Sequence, residues 1–480
     1  MYSSRFVDGH VHMLSFGSSL RQFDLFGLKN LDQIRDSIST YARNNPSETS
    51  IICKGWIQAT TGDDSTARML DDLDARPIFI NSLDMHSVWC NTAALKALKL
   101  DSIPEPPGGT IYRDEDGNPT GLLAESAVVD IVWPYLAQSA SLEERMDALE
   151  KAVAAYSAAG YTGLIDMAMD DAVWEVLNRF REKHGGFPFH VAAHWYIPYS
   201  DSLDECFNSV DHAAAMRDKY PPSTSRDFCI VGIKIISDGT VDGCTAGLSQ
   251  PYGGRSDLVA PIWPLEKLAP VVKHADAAGL QCSVHAIGDK SVSSAIYALS
   301  KVGAGSPAGK RHRIEHLELT SPEDAKKLGS LGITASVQPV HSDPALLRAW
   351  PSLIGSERLT RAFAYREFHE GHAPVVFGTD APTARHFPLA NLYNATTRRS
   401  ALEPNSPDAT NPQFALDMAT AVSSASTTAA YSRFADSWTG SLKEGLQADF
   451  IVLDMQWDKE KLLEARVCET WYRGKLVNHG

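Results

Sequence analysis

The 480 residues exceed what one small domain needs and fall within the span of one large α/β barrel with attachments. A hydrophobic share of 44% and a charged share of 21% exclude a disordered polymer, and a net charge of −15 disfavours nucleic-acid phosphates and anionic membrane surfaces, leaving a small neutral or cationic molecule as the fitting partner. The seven cysteines, odd in number and without a Cys-x-x-Cys pair, read as free thiols, and no apolar run is long enough to cross a bilayer, so a soluble cytoplasmic protein is expected.

Short apolar runs alternate with longer helical patterns along the chain, which is the rhythm of parallel β/α units. The first run covers residues 5–12. Residues 50–140 then break the rhythm, rich in Pro and Gly at 104–109 and with a turn at Asp116-Gly117-Asn118-Pro119; this insertion predicts a lid or side domain. A helix opens at Ser141, where Glu144 completes a capping box, and leads into the second run at 161–167. Further runs at 189–197, 229–236, 281–285, 311–316, 333–338 and 374–380 bring the number to eight, with helices between them at 265–278 and 322–331, the latter capped by Ser321. Eight strands with interposed helices predict a (β/α)8 TIM-type barrel over residues 6–437, carrying the insertion after strand 1. Residues 411–434, rich in Ala, Ser and Thr, predict a buried closing helix. From Gly440 onward short strands at 449–454 and 470–477, the second broken by an Arg473-Gly474-Lys475 turn, place residues 438–480 with residues 1–5 in a small β-sandwich domain.

Chemistry-bearing residues gather at the C-terminal ends of these runs, where barrel enzymes build their sites. In Phe6-Val7-Asp8-Gly9-His10-Val11-His12 the strand period of two puts both imidazoles on one face, close enough to share a cation. Lys234 interrupts the apolar run Ile230-Val231-Gly232-Ile233-Lys234-Ile235-Ile236, where a bare ammonium is costly; it either pairs with an acid such as Asp238 or carries a carbamate able to bridge two metals. His285 ends Cys282-Ser283-Val284-His285 and His316 ends Arg313-Ile314-Glu315-His316. Asp380, before Ala381-Pro382, fits either an N-cap or a carboxylate at the mouth of the eighth strand. Together, four histidines, a strand lysine and an aspartate on strands one, four, five, six and eight form a metal-ligand constellation.

This pattern resembles the amidohydrolase superfamily, and within it the YtcJ-like branch, amidohydrolase family 3. The resemblance extends over nearly the whole chain: Leu83-Asp84-Met85-His86-Ser87-Val88-Trp89-Cys90-Asn91, Gly232-Ile233-Lys234 with Asp238-Gly239, His285-Ala286-Ile287-Gly288-Asp289, Arg313-Ile314-Glu315-His316, Ser336-Val337-Gln338-Pro339 and Gly378-Thr379-Asp380-Ala381-Pro382. It implies one or two divalent ions, zinc foremost: His10, His12 and Asp380 on the more buried metal, His285 and His316 on a second, and carboxylated Lys234 bridging them. It further implies attack by metal-activated water on a C–N bond of an amide, an N-acyl or N-formyl amine or a cyclic amide, with Asp380 taking the proton of the water and passing it to the leaving nitrogen. Asp84, His86, Trp89 and Asn91 resemble the family's pocket-lining motif, and His341 follows strand seven closely enough to reach the same mouth; Glu125, Asp238 and Tyr252 are further candidates. Members of the family usually carry a few tens of residues of the small sandwich before the His-x-His strand, whereas five residues precede Phe6 here, so either a trimmed small domain or an incomplete gene product is expected. The expected partner is a small-molecule substrate, without nucleic acid or membrane, in a chain for which a homodimer is among the expected assemblies. Two other readings share these ligands: decarboxylation or isomerisation on the same barrel, and a catalytically silent binding or regulatory homologue. Product analysis separates the first from hydrolysis, and metal analysis the second.

Overall fold

Eight strands pair in parallel in chain order: β1 (Phe6–Val11), β2 (Tyr161–Met169), β3 (His190–Tyr196), β4 (Phe228–Ile236), β5 (Gln281–Ala286), β6 (Arg313–His316), β7 (Thr334–Val337) and β8 (Val375–Phe377). The computed structural model describes all residues except 1, 62–64, 101–102, 107–108 and 303–309, so Pro107 and Gly108 of the Pro/Gly-rich stretch lie outside the described residues. The strands are buried almost throughout, which is why they read as near-continuous apolar runs rather than alternating ones. Val7, Ile165, Met167 and Val376 meet in a separate apolar cluster completed by Ala429.

The barrel closes between β8 and β1 through groups just beyond the end of β8. Asp380 N donates to His10 O (2.7 Å) and His12 N to Ala381 O (3.1 Å), while the Asp8 carboxylate accepts from both Thr379 N (2.8 Å) and Thr379 Oγ1 (2.6 Å). Glycine is needed at this seam: a Cβ on Gly378 would stand 2.5 Å from His10 Cβ, and one on Gly9 would stand 2.7 Å from Phe377 O. The result is a (β/α)8 barrel with helices interposed between successive strands.

The capping signals of the helices are local and hold. Ser141 Oγ accepts from Glu144 N while Glu144 Oε2 accepts from Ser141 N, and Ser321 Oγ accepts from Asp324 N at the start of the helix Pro322–Ser330. Residues 411–434 differ from the single helix expected: they form a 3-10 turn, Pro412–Phe414, and two short helices, Met418–Ser424 and Thr427–Ser432. Ser424, Ser426 and Thr427 each turn a hydroxyl back onto a carbonyl of the preceding turn, and Ala425 O is taken by Val7 N of β1 (2.8 Å), so hydroxyls and a strand amide compete with the helix ladder at the break.

Between β1 and β2 the chain builds a six-stranded mixed sheet in the order Phe23–Asp24, Ile51–Trp56, Ile78–Ser82, Ser87–Cys90, Pro119–Glu125, Gly109–Arg113. Two apolar clusters serve it: one around Ile34, Ile38, Trp56 and Trp89, the other around Phe79, Val88, Leu98 and Val128. A four-stranded antiparallel sheet joins Tyr2–Ser4 to Phe450–Asp454, Arg466–Tyr472 and Lys475–His479. Its last hairpin turns at Arg473 (φ 55°) and Gly474 (φ 71°), both left-handed, as a two-residue turn matched to strand twist requires. No helix among the described residues is long and apolar enough to cross a membrane.

Candidate metal centre

His10 lies near the end of β1 and His12 one residue beyond it, at the entry to the helix Met13–Ser19. Each imidazole has its Nδ1 committed. His10 Nδ1 donates to Glu315 Oε2 (2.8 Å) and His12 Nδ1 to Met167 O (2.9 Å), so both rings turn an Nε2 lone pair in the same direction. Those lone pairs meet Asp380: its Oδ1 stands 3.3 Å from His10 Nε2 and 3.1 Å from His12 Nε2. Three electron-pair donors converging without a hydrogen between them are a receptor for a cation.

The next layer of ligands is in reach. The His316 ring centroid lies 5.0 Å from that of His10 and 4.3 Å from that of His285, and His10, His316 and Asp380 can all offer a ligand atom within 4.8 Å of one another. His316 (φ 75°) and Asp380 (φ 58°) both sit in the left-handed region, a conformation costing about 1–3 kcal/mol for a side chain with a Cβ, which persists where surrounding contacts dictate it. Burial holds the imidazoles of His285 and His316 well below their usual pKa and that of His10 at about 4, which keeps them neutral.

Lys234 ends in the same space. Its Nζ is buried and finds no hydrogen-bond partner among the described residues, and burial, opposed by Glu315 and Asp380, lowers its pKa to about 8. Pairing with Asp238 does not occur, because that carboxylate is spent on three backbone amides, Gly247, Ile287 and Gly288, at 2.9–3.0 Å. Asp380 is not a helix cap either: its carboxylate faces the two histidines, and burial, which would raise its pKa, is outweighed by His10 and His12, which hold it well below the usual carboxylate range. An unpartnered buried amine, neutral imidazoles and an ionised carboxylate fit a divalent ion, and the six residues able to hold it are His10, His12, Lys234, His285, His316 and Asp380.

The sequence profile of the amidohydrolase family matches residues 6–478. This chain belongs to that family. It is 28% identical to the Bacillus subtilis (strain 168) protein named as an amidohydrolase, YtcJ, over 98% of this chain and 88% of that one, and 24% identical to the N-substituted formamide deformylase of Arthrobacter pascens over 98% and 87%. Among solved structures, an uncharacterized metal-dependent hydrolase from Pyrococcus horikoshii superposes with a TM-score of 0.72 at 23% identity, covering 95% of this chain and 86% of that one, which is a likeness of fold.

Groups from both the barrel and the insertion flank this cluster. His12, His86 and His341 are its partly accessible groups, with side chains 24%, 19% and 17% exposed. His86 donates from Nδ1 to Glu125 Oε2 (2.7 Å), and its ring lies 5.5 Å from that of His285; burial opposes its charge, but Glu125 outweighs burial and raises the pKa to about 9. Asp84 accepts from Thr240 Oγ1 (2.8 Å) and Glu125 from Thr245 Oγ1, which fastens the inserted sheet to the loop after β4. His341 donates from Nδ1 to Glu318 (3.3 Å) and faces Asp380 Oδ2 with Nε2 at 3.9 Å; despite burial, Glu318 and Asp380 raise its pKa.

Trp89 and Asn91 stand elsewhere. Trp89 is fully buried against Trp56 with its indole N–H on Thr66 O, and Asn91 caps the helix Thr92–Leu98, accepting from Ala94 N and Ile78 N and donating to Arg76 O. Tyr252 is likewise a buried packing residue, donating to Ala246 O. Sequence reasoning assigned no role to Glu315, Glu318 or Thr240. A buried acid one residue before a strand-end histidine was the available signal for Glu315, since an unpaired charge does not persist inside a barrel.

Proposed function

We propose that this protein hydrolyses a C–N bond of a small neutral or cationic molecule, in a centre holding one or two zinc ions with Lys234 carboxylated. The observation that carries this reading is the convergence of His10 Nε2 and His12 Nε2 on Asp380 Oδ1, with both Nδ1 atoms already bonded. Imidazole and carboxylate donors suit zinc. When bound, the ion supplies Lewis acidity, which lets water attack a carbonyl near neutral pH. Asp380, ionised and buried, accepts the proton of the attacking water and delivers it to the departing nitrogen. His86, Asp84 and His341 face the mouth and orient the substrate, with His86 as the cationic donor there. The formamide-cleaving relative makes N-formyl amines the first substrates to assay, followed by N-acyl amines, cyclic imides and ureas. An odd number of cysteines without a Cys-x-x-Cys pair supports a cytoplasmic location.

Purified protein should hold one to two equivalents of a divalent metal by elemental analysis. Dipicolinate should abolish release of amine from the best substrate, and zinc or manganese should restore it. Full activity in metal-free protein would end this reading.

Lys234 should react with carbon dioxide because its amine is held neutral more readily than a surface lysine: the nitrogen lone pair forms the N–C bond, one N–H proton leaves to solvent, and a carbamate anion remains. Lys234→Ala is expected to lose metal occupancy, and formate or acetate to restore part of it by supplying the missing oxygen ligands. Mass spectrometry and electron density showing an unmodified lysine in fully metallated protein would contradict this.

A further inference from the structure

Resting on the metal-centre reading above, we propose that Glu315, clamped by Arg313, is a positioning residue that sets the metal affinity of the centre through His10. Every acceptor direction of its carboxylate is used. Oε1 receives Ser283 Oγ (2.7 Å) and Arg313 Nε (2.8 Å), and Oε2 receives His10 Nδ1 (2.8 Å) and Arg313 NH2 (3.1 Å). With four donors on two oxygens and no solvent exposure, the carboxylate has no alternative orientation. His10 therefore carries its proton on Nδ1 and offers Nε2 as a lone pair. Among the described residues the other neighbour of that nitrogen is the Gln338 amide, farther away at 3.4 Å.

Arg313 fixes the backbone as well as the side chain. The same NH2 that meets Glu315 donates to Gly9 O (2.7 Å), the peptide leading into His10, and to Ser336 Oγ (2.7 Å). One guanidinium and one carboxylate thus tie β1, β5, β6 and β7 together beside the ligands. The contrast with His12 shows what the charge adds. There the distal nitrogen meets a neutral carbonyl, Met167 O, whereas His10 meets an ionised carboxylate, which strengthens the imidazole as a ligand. Loss of such a partner typically weakens metal binding about 10- to 100-fold.

The test is zinc affinity by competition with a chromophoric chelator, on wild type, Glu315→Gln, the double variant Arg313→Met with Glu315→Gln, and His10→Ala. Glu315→Gln keeps an oxygen acceptor but removes the charge, and is expected to weaken zinc about 10- to 100-fold. Should the arginine left unpaired prevent folding, the double variant removes that cation too and carries the same expectation. Wild-type zinc affinity in either folded variant overturns the proposal. His10→Ala is the separate control: wild-type affinity and stoichiometry there would refute the metal centre itself, not the role of Glu315. Ring nitrogen-15 spectra of zinc-loaded wild type give a readout independent of the variants, expected to show His10 protonated at Nδ1; a protonated Nε2 overturns the proposal.

Discussion

Asp380→Asn is expected to lower kcat by about 10²- to 10⁴-fold, the usual worth of a positioned proton-transfer group, with metal content unchanged. Asparagine keeps the oxygen that faces His10 and His12 but cannot accept a proton. Substrate binding should suffer less than turnover, because Asp84, His86 and His341, which line the mouth, remain in place. In the wild type, activity should fall on the acid side of the pH profile as the proton acceptor titrates, and His10 and His12 push that limb well below the ordinary carboxylate range. Metal must be measured alongside kinetics, since loss of the ion would mimic loss of the base. A variant that kept both its metal and near wild-type kcat would remove Asp380 from the role and direct attention to His341, whose Nε2 lies 3.9 Å from the same carboxylate.

The second large effect lies at the opposite end of the barrel, where Arg5 precedes β1 and His190 opens β3. Asp449→Ala should destabilise the protein by about 3–5 kcal/mol, the range for breaking a buried ion pair from one side. The Asp449 carboxylate accepts from Arg5 NH1 (2.9 Å), His190 Nε2 (3.1 Å), Thr439 Oγ1 (2.7 Å) and Arg473 N (2.9 Å), so its loss strands a fully buried guanidinium together with three other donors. Chemical denaturation should show the loss as a lower midpoint at unchanged slope. A change under about 1 kcal/mol would refute the argument.

This network also sets an acid limit on stability. Burial would raise the pKa of Asp449, but His190 and Arg5 outweigh burial and depress it; the stability it contributes is complete above the ordinary carboxylate pKa and is lost as pH falls through the folded value. Burial lowers His190 to about 3, and its Nδ1 accepts from Tyr472 OH (3.1 Å), as a neutral ring must. Between its ordinary pKa of about 6.5 and about 3, the unfolded chain binds a proton at His190 that the native state does not, so stability falls as pH is lowered through that window. His190→Gln should flatten the decline.

Much of the architecture was legible because its signals are local. Strand runs, helix caps and the position of His10, Lys234, His285, His316 and Asp380 at strand ends depend on residues a few places apart, and the alternation of strand and helix then admits few topologies. The break at Ser426 was not legible, since Ala, Ser and Thr are compatible with one helix until hydroxyls and the amide of Val7 claim its carbonyls. Nor was the fate of Trp89 and Asn91, which sit in the same motif as Asp84 and His86 but turn into the inserted sheet, where strand alternation sends neighbouring side chains to opposite faces.

By itself, the sequence determined which residue types stand at the strand ends as candidate metal ligands, because ligand chemistry and strand period are properties of short segments. Only the tertiary structure decided how those ligands are held: His10 meets Glu315 305 residues away, Asp8 clasps Thr379 across 371, and Arg5 meets Asp449 across 444. Such pairings depend on the register in which eight parallel strands close on themselves. Register is set by the summed packing of the whole barrel, so no local stretch of the chain contains it.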